Sequence, residues 1–118
     1  MAIGESLVHT QTIGGVVVIR IIHNSVVHDR LIEHLGHEIQ ALFDDGACQK
    51  FILDFSNVDF VNSHSLGMLF KVGKRAKEAK LKLRLCSINA AILDVFKITK
   101  MDSFFDIKPT LEAALKGM

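Results

Sequence analysis

The sequence predicts an α/β fold built on a mixed sheet, and three observations carry the prediction. Two short runs, VVVIRII at 16–22 and KFILDF at 50–55, have the near-continuous apolarity of strands covered on both faces. Each is followed by a longer segment whose apolar residues recur every three or four positions, the helical period. Gly14-Gly15 divides the apolar segment 7–22 at its centre, as a hairpin turn does, so one antiparallel connection joins a set of parallel crossovers.

The elements follow in order. After the hairpin, residues 29–43 carry Leu31, Leu35, Ile39 and Leu42 on one helical stripe, widened by Ile32 and Phe43. Asp29 suits an N-cap and Gly46 a C-terminal stop. Residues 50–55 form the next strand. A second helix is expected over 65–80, with Leu66, Leu69, Phe70, Gly73 and Ala76 toward the sheet and Lys71, Lys74 and Lys77 in water. Residues 81–86 alternate strictly, Leu81, Leu83 and Leu85 against Lys82 and Arg84, as a strand does. Asn89 can cap a third helix bearing Ile92, Leu93 and Phe96. Phe104-Phe105 is a short apolar piece, and Pro109 fits the first turn of a last helix.

The chain has 118 residues, so one domain spanning 1–118 is expected, and 49% hydrophobic residues suffice for a core of that size. A net charge of +1 points to neither a nucleic acid nor a membrane surface. The opening MAIGESLVHTQ has no basic n-region and no apolar h-region, and no run approaches the ~20 apolar residues of a membrane span. No membrane insertion is therefore expected. Cys48 and Cys86 are too few and too far apart for a disulfide framework or a zinc motif. Two buried free thiols in a cytoplasmic protein is the expectation.

Chemistry concentrates in VDFVNSHSLGML at 58–69, where Asn62, Ser63, His64 and Ser65 stand together between strand and helix. Ser63-His64-Ser65-Leu66-Gly67 resembles a nucleophile elbow without its first glycine. That fold needs a histidine after the serine in chain order, and the last histidine here is His64. Adjacent helical residues also point about 100° apart, so Ser63 and His64 form no dyad. No catalytic residue and no enzyme activity are assigned. His34 and His37, with Glu33 and Glu38 beside them, have helical metal-ligand spacing, but two histidines are a weak signal, and no metal or other cofactor is expected. Lys71, Lys74, Arg75, Lys77, Lys80, Lys82 and Arg84 hold half of the Lys and Arg residues within 14 positions. Without tyrosine, tryptophan or a binding motif they argue for a wet helix face, or one that receives an acidic protein partner, rather than for nucleic acid. Asn62 or Ser63 can cap the second helix, and the positive helix start would stabilise a phosphate on a serine there.

FILDFSNVDFVNSHSLGMLF resembles the signature region of STAS domains, as found in bacterial anti-sigma factor antagonists. Asp54 ends the strand, Phe60 begins the F-x-D-S-x-G-L-G-like string, and Leu66-Gly67 sets its register. The hairpin, the segment RLCSINAAILDVFKITKMDSFF and the final helix fall in family order. The resemblance implies a single STAS-like domain with helices packed mainly on one face of the mixed sheet. It implies a protein-binding module that sequesters an anti-sigma factor, itself a serine kinase, and is switched off by phosphorylation of Ser63, with Ser65 the fallback acceptor. Asn62, Ser63, His64 and Ser65 would meet the partner, with Met68 and Val72 as apolar contacts. A non-switching scaffold in a signalling assembly and an accessory subunit of a lipid-transport ATPase are the alternatives. A weak homodimer is left open. The string departs from the family at Asn62, His64 and Ser65, and Lys100 stands where glycine is frequent.

Overall fold

The structure is a computed structural model and describes residues 6–118. Part of the N-terminal segment read for a targeting signal, residues 1–5, lies outside them. β1 (Val8–Ile13) and β2 (Val16–Ile21) form the antiparallel hairpin, joined through Gly14 and Gly15 at φ +56° and +80°. A two-residue turn with both φ positive matches the strand twist and favours glycine. β3 (Ser25–Val26) leads into α1 (Asp29–Asp44), then β4 (Lys50–Asp54), β5 (Phe60–Val61) and α2 (Ser63–Glu78). β6 (Lys82–Cys86), α3 (Ala90–Ile98), α4 (Met101–Phe104), β7 (Asp106–Lys108) and α5 (Leu111–Leu115) complete the order.

The five-stranded sheet runs β1-β2-β4-β6-β7, with β2, β4, β6 and β7 mutually parallel. β3 and β5 pair separately in parallel. On one face Ile19, Ile21, Phe51, Leu53 and Leu85 meet the inward stripes of α1, α2 and α3. On the other face Val16, Val18, Ile52 and Cys86 are covered by Ala114 of α5, flanked by Leu111 and Leu115. The helices are thus mainly on one face, with one short helix on the other. Central strands buried on both sides explain why 16–22 and 50–55 show no polar alternation.

Several boundaries differ from expectation. α2 begins two residues earlier than the apolar pattern suggested, because its first turn is closed by side-chain caps rather than by apolar contacts. Asp29 is the first helical residue of α1, not its cap; His28 precedes the helix without a side-chain cap bond. Pro109 lies outside the last helix, which Thr110 caps. Phe104 ends α4, a one-turn helix reached through Lys100 at φ +66°, the left-handed conformation that glycine adopts most readily. Cys48 is only partly buried, while Cys86 is buried as expected.

The sharpest correction concerns the faces of α2. Met68 and Val72, expected to face a partner, are in the core, and Phe70, expected in the core, is 44% exposed. Leu66 is half-buried and Leu69 is buried as expected. α2 rests on the sheet with α1 along one flank, and a Cβ on Gly36 of α1 would lie 2.9 Å from Met68 Cγ. That close approach turns 65, 68, 69, 72, 73 and 76 inward.

Candidate functional site

The polar cluster sits where β5 hands over to α2, beyond the carboxyl ends of the parallel strands, the usual location of sites in open α/β sheets. The approach to it is firmly tied. Buried Asp54 accepts from Ser56 N at 2.9 Å. Asn24 O accepts from Asp59 N and Phe60 N at 2.7 and 3.1 Å. Asn89, the N-cap of α3, donates from Nδ2 to Val58 O at 3.3 Å. Phe60 is left 62% exposed, two residues before the cluster. Sequence reasoning used Phe60 only to set the motif register; its exposure follows from the two-residue β3–β5 ladder, which the apolar pattern does not show.

Within the cluster each residue has a distinct task. Asn62 is the N-cap: its Oδ1 accepts from Ser65 N at 2.9 Å, and its Nδ2 donates to Val27 O at 3.0 Å. Ser65 completes the capping box, its Oγ accepting from Asn62 N at 2.8 Å and donating to Asn62 O at 2.9 Å. Ser65 is fully buried, so it offers neither a fallback acceptor nor a partner contact in the folded chain. Ser63 is the first residue of the helix and is exposed, and its hydroxyl has no partner among the described residues. His64 Nδ1 lies 2.8 Å from Asp29 Oδ1, joining the first turns of the parallel helices α1 and α2. The same helices are joined at their far ends by Arg75 and Asp44, and the carboxylate raises the guanidinium pKa.

A groove of about 240 Å³ runs between these helices, floored by Ile32, Gly36 and Met68 and rimmed by Glu33, His37, His64 and Lys71. Met68 therefore reaches that floor, while Val72 is wholly enclosed. Among the described residues no group of three His, Cys, Asp or Glu side chains converges on a metal position, and His34 and His37 gather no third ligand. Among the described residues no helix is long and apolar enough to cross a membrane. The basic run disperses: Arg84 binds Asp106, Lys82 donates to Gly117 O at 2.9 Å, and Lys77 stands 4.0 Å over the Phe104 ring.

The arrangement can do one chemical thing readily. The first amides of a 16-residue helix face outward beside an unengaged hydroxyl, so negative charge added at Ser63 meets the positive end of the dipole. An exposed aromatic and an imidazole–carboxylate pair flank it.

Comparison with known proteins finds relatives and structures of the same fold. BtrV of Bordetella bronchiseptica, named as a candidate anti-sigma factor antagonist, is 29% identical over 89 residues, which span 75% of this chain and 76% of that protein. A crystal structure of a candidate anti-sigma factor antagonist from Thermotoga maritima superposes with a TM-score of 0.81 at 20% identity, over 92% of each chain. The Bacillus cell fate determinant SpoIIAA, in its phosphorylated form, superposes with a TM-score of 0.67 at 18% identity, over 90% of this chain and 95% of that one. The family of STAS domains matches residues 8–114, from the first strand into the last helix, and the chain belongs to that family.

Proposed function

We propose that this chain is a cytoplasmic anti-sigma factor antagonist, a binding module without catalysis, whose partner is a serine kinase that switches it off by phosphorylating Ser63. One observation carries the reading. Of the two serines in the cluster, Ser63 alone is exposed and unengaged among the described residues, at the positive start of a helix that Asn62 already caps. Phosphate there adds roughly −1.5 to −2 charges without dismantling the fold, because the dipole and first amides favour it. A partner packed over the helix start would instead meet new charge and bulk. Support also comes from the similarity to BtrV and from the fold shared with a phosphorylated SpoIIAA. Asn62 contributes by holding the helix start; Ser63, His64 and Phe60 form the contact, Phe60 supplying the apolar part first given to Met68 and Val72.

The test is incubation with the cognate kinase and ATP, followed by mapping of the phosphate by mass spectrometry. Phosphate on Ser63 is expected. Ser63→Ala binds the partner and is not released by ATP, while Ser63→Asp folds normally and binds weakly. No phosphate at Ser63, together with wild-type partner affinity in Ser63→Asp, would leave the cluster a helix cap and favour a non-switching scaffold.

A further inference from the structure

Among the helical glycines Gly36, Gly67 and Gly73, Gly67 alone packs against no described residue, lying open at the edge of the groove between α1 and α2. A Cβ on Gly36 would lie 2.9 Å from Met68 Cγ, and one on Gly73 would lie 2.5 Å from Phe105 Cε1. Both glycines are required by close packing. A Cβ on Gly67 would meet nothing within 4 Å, and its φ is not positive. Glycine inside a helix is destabilising by roughly 0.5–1 kcal/mol relative to alanine. That cost has no packing return among the described residues, and the missing side chain leaves the backbone open to a neighbouring molecule.

The surroundings indicate what that is. On a helix of about 3.6 residues per turn, Ser63, Gly67, Phe70, Lys74 and Lys77 fall within about 40° of one line. All five are exposed. Phe70 stacks at 4.7 Å on Phe104 of α4 and keeps 44% of its surface open. Lys74 and Lys77 pair with no carboxylate among the described residues, whereas Arg75 and Arg84 do. Glu78, at the far end, is the one acid within α2.

We propose that this ridge of α2, from Gly67 through Phe70 to Lys74 and Lys77, docks an acidic segment of the protein partner. The partner's backbone closes on Gly67, an apolar residue covers the Phe70 ring, and carboxylates meet Lys74 and Lys77. The proposal rests on the reading of the domain as an anti-sigma factor antagonist, and it extends the contact about four turns beyond the switch serine.

The experiment places a benzophenone side chain at position 70 or 74, with positions 11 and 112 as exposed controls, and irradiates the intact cells. The captured protein is then purified and its affinity for the Gly67→Ala and Gly67→Leu variants measured, with melting temperatures alongside. Crosslinking from 70 and 74 to one protein, through a peptide rich in Asp and Glu and with silent controls, is expected. Gly67→Leu should then weaken binding about tenfold or more at an unchanged or raised melting temperature. No crosslink from the ridge, equal crosslinking from the controls, a captured nucleic acid, a contact peptide without acids, or full affinity in Gly67→Leu each overturn the proposal. A captured protein that leaves Ser63 unmodified sinks the switch and spares the ridge. Phosphate on Ser63 without crosslinks from 70 or 74 does the reverse.

Discussion

Ser63 and Ser65 carry the same side chain two positions apart, and the fold uses them in opposite ways. Ser65 Oγ closes the capping box and is sealed from water, while Ser63 Oγ points out of the structure. Chemical unfolding should therefore separate them. Ser63→Ala is expected to change stability by less than about 0.5 kcal/mol, as an ordinary surface substitution does. Ser65→Ala should cost about 1–3 kcal/mol, because the part-buried Asn62 amide loses its acceptor and the capping box opens. Equal losses would mean that the cap is shared. The cysteines divide similarly. Burial raises the Cys86 thiol pKa from 9.0 to about 11, whereas Cys48 is half-buried beside Gly15 O and Lys50 O. Thiol labelling of the native protein should reach Cys48 alone. The folded Cys86 thiol keeps its proton where the unfolded one releases it, so its contribution to stability is full below pH 9.0 and is lost as the pH rises toward about 11.

At the scale of the element, α2 is held on three sides. Its inner residues meet the sheet, Met68 abuts α1, and Gly73 lies under Phe104 and Phe105. Met68→Ala is expected to lose about 2–5 kcal/mol, the range for a core methionine, and a loss near zero would return Met68 to the surface. Gly73→Ala should also destabilise, since its methyl would drive into two rings that pack edge-on at 4.9 Å. The contrasting Gly67→Ala should raise the melting temperature, because the new methyl meets no neighbour and improves helix propensity. Differential scanning of the three variants checks the packing of one helix from three directions.

At the scale of the whole molecule, Arg84 closes the face opposite the main helices. Its side chain is 12% exposed and donates to Asp106 Oδ2 and to Ala114 O, each at 2.9 Å, and also to Lys116 O. It thereby holds the edge strand β7 and the end of α5 to β6. Removing it leaves two helix-end carbonyls without their donor and Asp106 with only Lys108 Nζ, 3.5 Å away. Arg84→Ala should cost at least about 1.5–3 kcal/mol in urea unfolding. Amide exchange should quicken in α5 before it quickens in α1 or α2, because α5 buries little beyond Ala114.

The sequence by itself determined the elements with strong periodicity and the identity of the cluster. The Gly14-Gly15 hairpin, the buried strands at 16–22 and 50–55, the stripe of α1 and the cap at Asn89 were legible because each depends on neighbours in the chain. So was the concentration of polar groups at 62–65. Tertiary structure decided what local pattern does not encode. β7 and the β3–β5 ladder are two or three residues long and exist only as pairings with distant chain. The faces of α2 were set by α1 and α4 on its flanks, which drew Met68 and Val72 inward and left Phe70 half out. The choice between Ser63 and Ser65 was made by a hydrogen bond across one helical turn. A hydroxyl's availability depends on what covers it and what it bonds, and neither is a property of its place in the sequence.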